Sequence, residues 1–90
     1  MASVTISNSG ADALCVLVEP LGEDFWIVNG QELTFTASDE VPTVTWYENG
    51  AAVWVNVGDP YDVVVATSTG EVVVCGYQRP PGAFDSPKNS

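Results

Sequence analysis

Twelve carboxylates, two thiols and nine aromatic rings are the side chains of this 90-residue chain that could do chemistry, and histidine is absent. Without histidine the usual general base near neutral pH is missing, and Ser-His-Asp or Cys-His arrangements cannot form. Both basic residues, Arg79 and Lys88, lie near the C-terminus, so residues 1–78 offer no cation that would stabilise a thiolate. No Gly-rich phosphate loop with its Lys occurs, and no Cys/His set supplies four zinc ligands. We therefore expect no enzyme activity, no cofactor and no metal.

Three carboxylate pairs remain as candidate acid–base or Ca²⁺ sites, and each has a simpler structural role. The first pair is adjacent on a predicted strand, where neighbouring side chains point to opposite faces. The second lies in a polar loop, where solvation explains it. The third flanks a turn, in which Asp side chains accept backbone hydrogen bonds. The pairs are Glu23-Asp24, Asp39-Glu40 and Asp59-x-x-Asp62.

The net charge of −10 sets which partners are compatible with this chain. A charge of this sign and size repels phosphate backbones, so we expect no nucleic-acid binding. Because residues 1–78 contain no Lys, Arg or His, the sequence predicts no side-chain ion pair within them. Such a charge keeps an apolar small domain dispersed. The alternative is an acidic surface that engages a basic protein partner.

Membrane insertion and secretion are both unexpected from the distribution of apolar residues. No run approaches the ~20 apolar residues of a membrane span. The first residues, MASVTIS, have no basic region and no long apolar stretch, so we expect no secretory signal and a cytoplasmic location. Cys15 and Cys75 lie in valine-rich runs. In a reducing compartment we expect them to be free, buried thiols rather than a disulfide.

Valine, threonine and aromatic residues dominate the chain, and these residues favour strands. Short apolar runs separated by Gly, Asn, Asp and Pro predict an all-β fold: a small antiparallel sandwich or flattened barrel of seven to eight strands, of immunoglobulin-like size. An open Greek-key barrel is the alternative. Residues 1–78 form one domain in this interpretation, and the Pro-rich residues 79–90 form a disordered tail. We predict strands near residues 3–8, 13–19, 24–29, 32–37, 42–48, 51–57, 61–67 and 71–77.

Two Asn-Gly pairs mark turns between predicted strands. Asn49-Gly50 is typical of a two-residue type I′ hairpin, because both central positions of that turn need positive φ. The resulting register places Thr45 opposite Trp54. For Asn29-Gly30 the same loop would pair large apolar residues with polar ones. We therefore favour a corner at which the chain leaves one sheet and enters the other.

The predicted hairpin divides its aromatic residues between two faces. Trp46 falls on the valine face and is expected in the core. Trp54 and Tyr47 fall with Thr45 on the polar face, where they are covered by another layer or act as contact residues. With Glu48 as an acidic rim, the candidate binding residues are Trp54, Tyr47, Thr45 and Glu48.

Three runs are apolar on both faces of their strands, which a monomer of this size has little material to cover. This pattern favours a homodimer or another β-mediated assembly. The runs are residues 14–18, 63–66 and 72–75.

Residues 18–30, VEPLGEDFWIVNG, resemble a pattern in short bacterial proteins of uncharacterised function. In those proteins a Glu-Pro, a small residue and an acid precede an aromatic residue, and a Gly turn follows. Residues 44–57 continue the resemblance with an Asn-Gly hairpin and a Val-Trp-Val strand, so that it covers roughly residues 14–58. It implies a small acidic β-domain and brings no activity with it. The two cysteines and the longer valine-rich C-terminal half depart from the pattern.

Three functions remain compatible with this inventory. The first is a non-enzymatic protein-interaction module, an acidic accessory or inhibitor protein that engages a basic partner. The second is a self-assembling structural subunit of the virion or sheath type. The third is binding of a small ligand or carbohydrate through exposed aromatic side chains.

Overall fold

The structure is a computed structural model that describes residues 2–83, so the last seven residues of the predicted tail, 84–90, lie outside it. Eight strands alternate with short turns, and a 3₁₀ turn at Pro60–Asp62 precedes the seventh. The strands are β1 (Ala2–Ser7), β2 (Leu14–Glu19), β3 (Glu23–Ile27), β4 (Glu32–Ala37), β5 (Thr43–Tyr47), β6 (Gly50–Trp54), β7 (Val64–Thr67) and β8 (Val72–Val73).

The eight strands form two four-stranded sheets that face each other, which confirms the predicted all-β sandwich. Sheet A has the strand order β1-β4-β7-β8, and sheet B has the order β3-β2-β6-β5. Among residues 2–83 the two sheets do not close into a barrel. In the same range no helix is long and apolar enough to cross a membrane.

The core lies between the sheets and is built by alternation along each strand. In β4 every second residue is buried, while Thr34 and Thr36 face outward and share hydroxyl hydrogen bonds of 2.8 Å with Thr5 and Ser3 of β1. Each buried Val, Leu, Ile or Phe side chain contributes about 1.5–3 kcal/mol to stability. The largest buried side chains are Phe35, Ile27, Leu33, Val16, Val18 and Val53.

An aromatic contact joins the two sheets near the middle of the core. The rings of Phe25 in sheet B and Phe35 in sheet A meet edge to face, with centroids 5.9 Å apart and planes at 87°. Aromatic pairs favour this geometry because the positive ring edge meets the negative face. Phe35 is therefore a central residue of the sandwich.

One pairing in sheet B is parallel, whereas the sequence predicted antiparallel pairs only. Strand β2 runs parallel to β6, from Cys15 opposite Gly50 to Glu19 opposite Trp54. A Cβ added at Gly50 would overlap the carbonyl oxygen of Cys15. Glycine is thus required at position 50 by the close approach of β2.

The β5–β6 hairpin forms with a register two residues away from the predicted one. Its loop is Glu48-Asn49, and Tyr47 pairs with Gly50, so Trp54 lies opposite Thr43 rather than Thr45. Neither Asn49 nor Gly50 has positive φ, so the predicted type I′ turn at this pair is wrong. A shift of two residues leaves every side chain on its predicted face, because side chains alternate with a period of two.

The Asn29-Gly30 pair is a corner between the sheets, as predicted. β3 belongs to sheet B and β4 to sheet A, and Gly30 adopts a φ of +83° between them. The buried side chain of Asn8 braces this corner, because its Nδ2 donates to the Ile27 carbonyl at 2.7 Å. The Asn8 backbone bonds both Gln31 and Gly30, at 3.0 and 2.8 Å.

Candidate functional site

The four predicted binding residues all lie on the β5–β6 hairpin. Thr45 and Tyr47 belong to β5, Trp54 belongs to β6, and Glu48 is the first residue of the loop. Thr45, Tyr47 and Trp54 share the outer face of sheet B, which points away from the core. The structure therefore brings these residues onto one element and one side of the molecule.

Tyr47 and Trp54 stand at opposite ends of the hairpin. Trp54 is level with Thr43, four residues before Tyr47 on the same strand, which corresponds to roughly 13 Å. Thr45 lies between them, and the Asn56 amide donates to the Thr43 hydroxyl at 2.7 Å beside Trp54. The two rings thus form separate contact points rather than one stacking platform.

The prediction that Trp46 is a core residue is wrong. It lies on the inner side of sheet B with Val44, as its face predicts, but 60% of its surface is exposed. β5 is the outermost strand of the sheet, so β6 is its one neighbour among the described strands, and Trp46 pairs there with the small residue Ala51. Its position on an edge strand, two residues before the loop, leaves its ring outside the core.

Three large aromatic side chains are consequently exposed on one hairpin, and we call them the aromatic hairpin. Tyr47 is 57% exposed and Trp54 is 37% exposed, next to the more exposed Trp46. Trp46 projects from the inner face of sheet B, while Tyr47 and Trp54 project from its outer face. Large aromatic side chains with fixed backbones are the commonest anchors of protein interfaces.

A buried carboxylate forms a second feature, at the opposite edge of sheet B. Asp24 points away from the core, yet it is only 3% exposed. The Arg79 guanidinium donates two hydrogen bonds to it, Nε to Oδ2 at 2.8 Å and Nη2 to Oδ1 at 2.6 Å. The Trp26 indole donates to Oδ2 at 2.8 Å, and the Cys75 thiol lies 3.5 Å from Oδ1.

This ion pair changes the interpretation of the chain after β8. The sequence predicted no ion pair within residues 1–78, and the cation of this pair, Arg79, lies just outside that range as the first residue of the predicted tail. Arg79 reaches back to Asp24, and Gly76 and Tyr77 run beside β3, bonding Asp24 and Trp26 through their backbones at 2.7 and 2.9 Å. This segment covers the β3 edge, so the edge is not open for pairing.

The Asp24–Arg79 pair predicts a pH dependence of stability. Hydrogen bonds from Arg79, then from Trp26, hold the pKa of Asp24 well below its usual range despite its burial. Since the pKa is lower in the folded state, the stabilisation is complete above about pH 4 and is lost as the pH falls below it. We expect wild type to be more stable than Asp24→Asn at about pH 6, as measured by unfolding in urea. This difference in unfolding free energy should be smaller at about pH 2.5.

The matched control for this measurement is Asp62→Asn, which removes the same charge from an exposed position. Its difference from wild type should be small at both pH values. If the Asp24→Asn difference were the same at both, Asp24 would not owe its stabilisation to the ionised pair.

Both cysteines are free thiols, in agreement with the sequence, but the prediction that they are buried is wrong. Cys15 is half-buried and Cys75 is exposed. Burial, and then the Asp24 charge, raise the pKa of the Cys15 thiol. Cys15 is therefore a weak nucleophile at neutral pH.

A groove of about 560 Å³ lies beside the hairpin loop. The loop between β1 and β2 forms one wall, with Asp12, and the hairpin loop forms the other, with Glu48 and Asn49. Leu14, Cys15 and Trp26 also line it. The groove thus has an acidic residue on each of two loops, which the sequence did not predict, since residues 12, 26 and 48 are far apart along the chain.

Among residues 2–83, no group of three or more Cys, Asp or Glu side chains is placed to hold a metal ion. Comparisons with protein families, with curated proteins and with solved structures find no match for this chain. The features of the chain that bear on its function are the aromatic hairpin, the groove and the charge.

Proposed function

We propose that the protein is a non-enzymatic protein-interaction module, and that the aromatic hairpin is its contact surface for a basic partner. The observation that carries this proposal is the exposure of Trp46, Tyr47 and Trp54 on one hairpin at the edge of a sheet. Scattered single apolar residues are normal on a protein surface, whereas large neighbouring aromatic residues mark interaction sites.

The geometry of β5 supports this role. It is an edge strand with one described neighbour, so one side of its backbone can pair with a strand of another protein. Trp46 and Tyr47 lie on opposite faces of that strand and would contact the partner from both sides. Their backbone is held by the β6 pairing and needs no reordering on binding.

Charge favours a basic partner. The chain carries −10 overall, and Glu48 extends from the hairpin loop beside Tyr47. Opposite charge steers association and makes its rate fall with salt. We therefore expect the affinity to fall with ionic strength, whereas the aromatic contacts supply most of the binding free energy.

The test is a substitution of the two most exposed rings, Trp46→Ser with Tyr47→Ser. Immobilised wild type is used to retain partner proteins, and a retained partner is purified. Its affinity is then measured for wild type and for the variant. We expect the variant to bind at least about 100-fold more weakly, because two anchor residues contribute ~2 kcal/mol or more each. Raising the salt from about 50 to 300 mM should weaken the wild-type complex.

The control variant is Val72→Ser with Val74→Ser, which removes exposed apolar surface near the far edge of sheet A. It should retain the partner as wild type does. Equal loss in both variants would contradict a contact surface at the hairpin. If wild type were a dimer by light scattering and only the valine variant were a monomer, the alternative of a self-assembling subunit would replace this proposal.

A further inference from the structure

The open edge of β5 presents the backbone groups of two residues, Val44 and Trp46. Tyr47 and Gly50 close a loop of two residues, and a pair in that position exchanges both of its backbone hydrogen bonds. Bonded and non-bonded pairs alternate along an antiparallel ladder, so the N–H and C=O groups of Thr45 also point to β6. Those of Val44 and Trp46 point to the other side, where the described residues 2–83 place no strand.

The ring of Trp46 lacks a neighbour on the same side. It lies with Val44 on the inner face of sheet B, and 60% of its surface is exposed. A side chain within a sheet is flanked by the residues opposite it on two neighbouring strands. Trp46 has one such residue, Ala51 of β6. A further strand beside β5 would bond the backbone of Trp46 and cover its ring at the same time.

The other described edges are less suited to an added strand. The β3 edge is covered by the backbone of Gly76 and Tyr77. β8 is two residues long. β1 has six residues, but its exposed side chains are serine and threonine and it contains no aromatic residue. β5 thus combines an open ladder with large apolar side chains.

Charge indicates which segment would occupy this edge. Residues 43–47 of β5 are uncharged, and the exposed acidic residues Glu40 and Glu48 lie shortly before and directly after them in the chain. With a net charge of −10, the protein attracts a basic segment and repels a second copy of itself.

We propose that an extended basic segment of the protein partner adds to sheet B as a fifth strand, antiparallel to β5, through the backbone of Val44 and Trp46. Its apolar side chains lie on the inner face against Trp46, and its basic side chains lie on the outer face. In this mode of recognition backbone hydrogen bonds supply affinity, and alternating side chains supply specificity. The inference rests on the proposed function and names the form of the partner and the groups that it bonds.

The test uses the peptide acetyl-Lys-Val-Lys-Val-Lys-Val-Lys-amide as the probe. It is titrated to about 2 mM into ¹⁵N-labelled protein, because one short strand is expected to bind with a Kd of roughly 0.1–1 mM. When most of the protein is bound, hydrogen exchange of the Val44 and Trp46 amides should slow by at least about fivefold. The Thr45 amide, which already bonds β6, should change much less.

Two N-methylated peptides test backbone pairing directly. Residues opposite Val44 and Trp46 in an antiparallel strand share their face, so the valines of the peptide donate to β5. N-methylation of the valines should weaken binding by at least about tenfold, because each donor is lost. N-methylation of an equal number of lysines alters groups that point away and should be tolerated. Equal binding by both methylated peptides would overturn the inference.

Two controls address charge and location. A peptide with glutamate in place of each lysine should not bind at the same concentration. In β1, the Asn8 amide donates to the Gln31 carbonyl at 3.0 Å, so by alternation the Thr5 amide faces the open edge of that strand. Its exchange rate should stay unchanged. Protection of Thr5 in place of Val44 and Trp46 would put the peptide on sheet A and overturn the inference.

The outcomes separate this inference from the proposed function. Equal binding by both methylated peptides, with loss of the purified partner in the Trp46→Ser, Tyr47→Ser variant, would overturn the added strand and leave the contact surface standing. Protection of the Val44 and Trp46 amides by the peptide, with unchanged partner binding in that variant, would overturn the contact surface, while β5 would remain a strand-binding edge.

Discussion

Replacing Phe35 with alanine should lower the unfolding free energy by about 3–5 kcal/mol, whereas replacing Trp46 should lower it by less than about 1 kcal/mol. Phe35 is fully buried and packs edge to face against Phe25, so its removal opens a cavity between the sheets. Trp46, although larger, is mostly exposed and pairs with Ala51 at the sheet edge. Ring size alone would rank the two substitutions in the opposite order.

Urea unfolding at neutral pH measures both changes on one scale. Since a domain of this size has a stability of about 5–10 kcal/mol, Phe35→Ala should shift the midpoint strongly and can leave part of the population unfolded. Phe35→Leu is the milder companion variant, because it keeps an apolar side chain in the same space. Destabilisation by Trp46→Ala as large as that by Phe35→Ala would place Trp46 in the core after all.

The strands and their faces were predictable because they depend on neighbouring residues. Alternation of apolar and polar residues located β4 to the residue, and the preference for valine and aromatic residues located the others within a few residues. The exceptions are at the C-terminal end, where β7 begins only at Val64 after a 3₁₀ turn and β8 covers only Val72–Val73 of the predicted residues 71–77. The corner at Asn29-Gly30 followed from rejecting a hairpin that would oppose apolar and polar side chains. The outer positions of Thr45, Tyr47 and Trp54 survived a register error of two residues, since two is the period of a strand.

The order of the strands across each sheet could not be predicted from this alternation. The wrong predictions about individual residues follow from not knowing that order. Alternation shows which face a residue occupies but not whether its strand is central or at an edge, so Trp46 was assigned to the core. The Asn-Gly pair predicts a turn at Gly50, whereas glycine is required there by the approach of β2, which is far away in sequence. The ion pair of Arg79 was not predicted because its partner, Asp24, is 55 residues away.

The groove and its support were missed for the same reason. Asp12, Trp26 and Glu48 come from three segments that only the order β3-β2-β6-β5 brings together. The contacts of Asn8 with Ile27 and Gln31 depend on the packing of two loops, which no local pattern specifies.

Asn8 should be a sensitive polar position of the described chain, and we expect Asn8→Ala to cost about 2–4 kcal/mol. The substitution removes Nδ2 bonds to Ile27 and Asp12, at 2.7 and 2.8 Å, and the bond that Oδ1 accepts from the Gly10 amide, at 2.8 Å. Each bond contributes about 1 kcal/mol, and the buried Ile27 carbonyl would be left without this donor. Thermal unfolding should show a decrease of roughly 10–25 °C in Tm.

Two further variants identify the cause of that loss. Asn29→Ala removes a single exposed bond to the Gly10 carbonyl of the same loop, and it should cost less than about 1 kcal/mol. Asn8→Asp keeps the acceptor for Gly10 but places a negative charge against the Ile27 carbonyl, so it should be at least as harmful as Asn8→Ala. Near wild-type stability of Asn8→Asp would mean that the Gly10 bond alone matters. The loop and the corner would then be held independently, and the groove wall at Asp12 would not depend on Asn8.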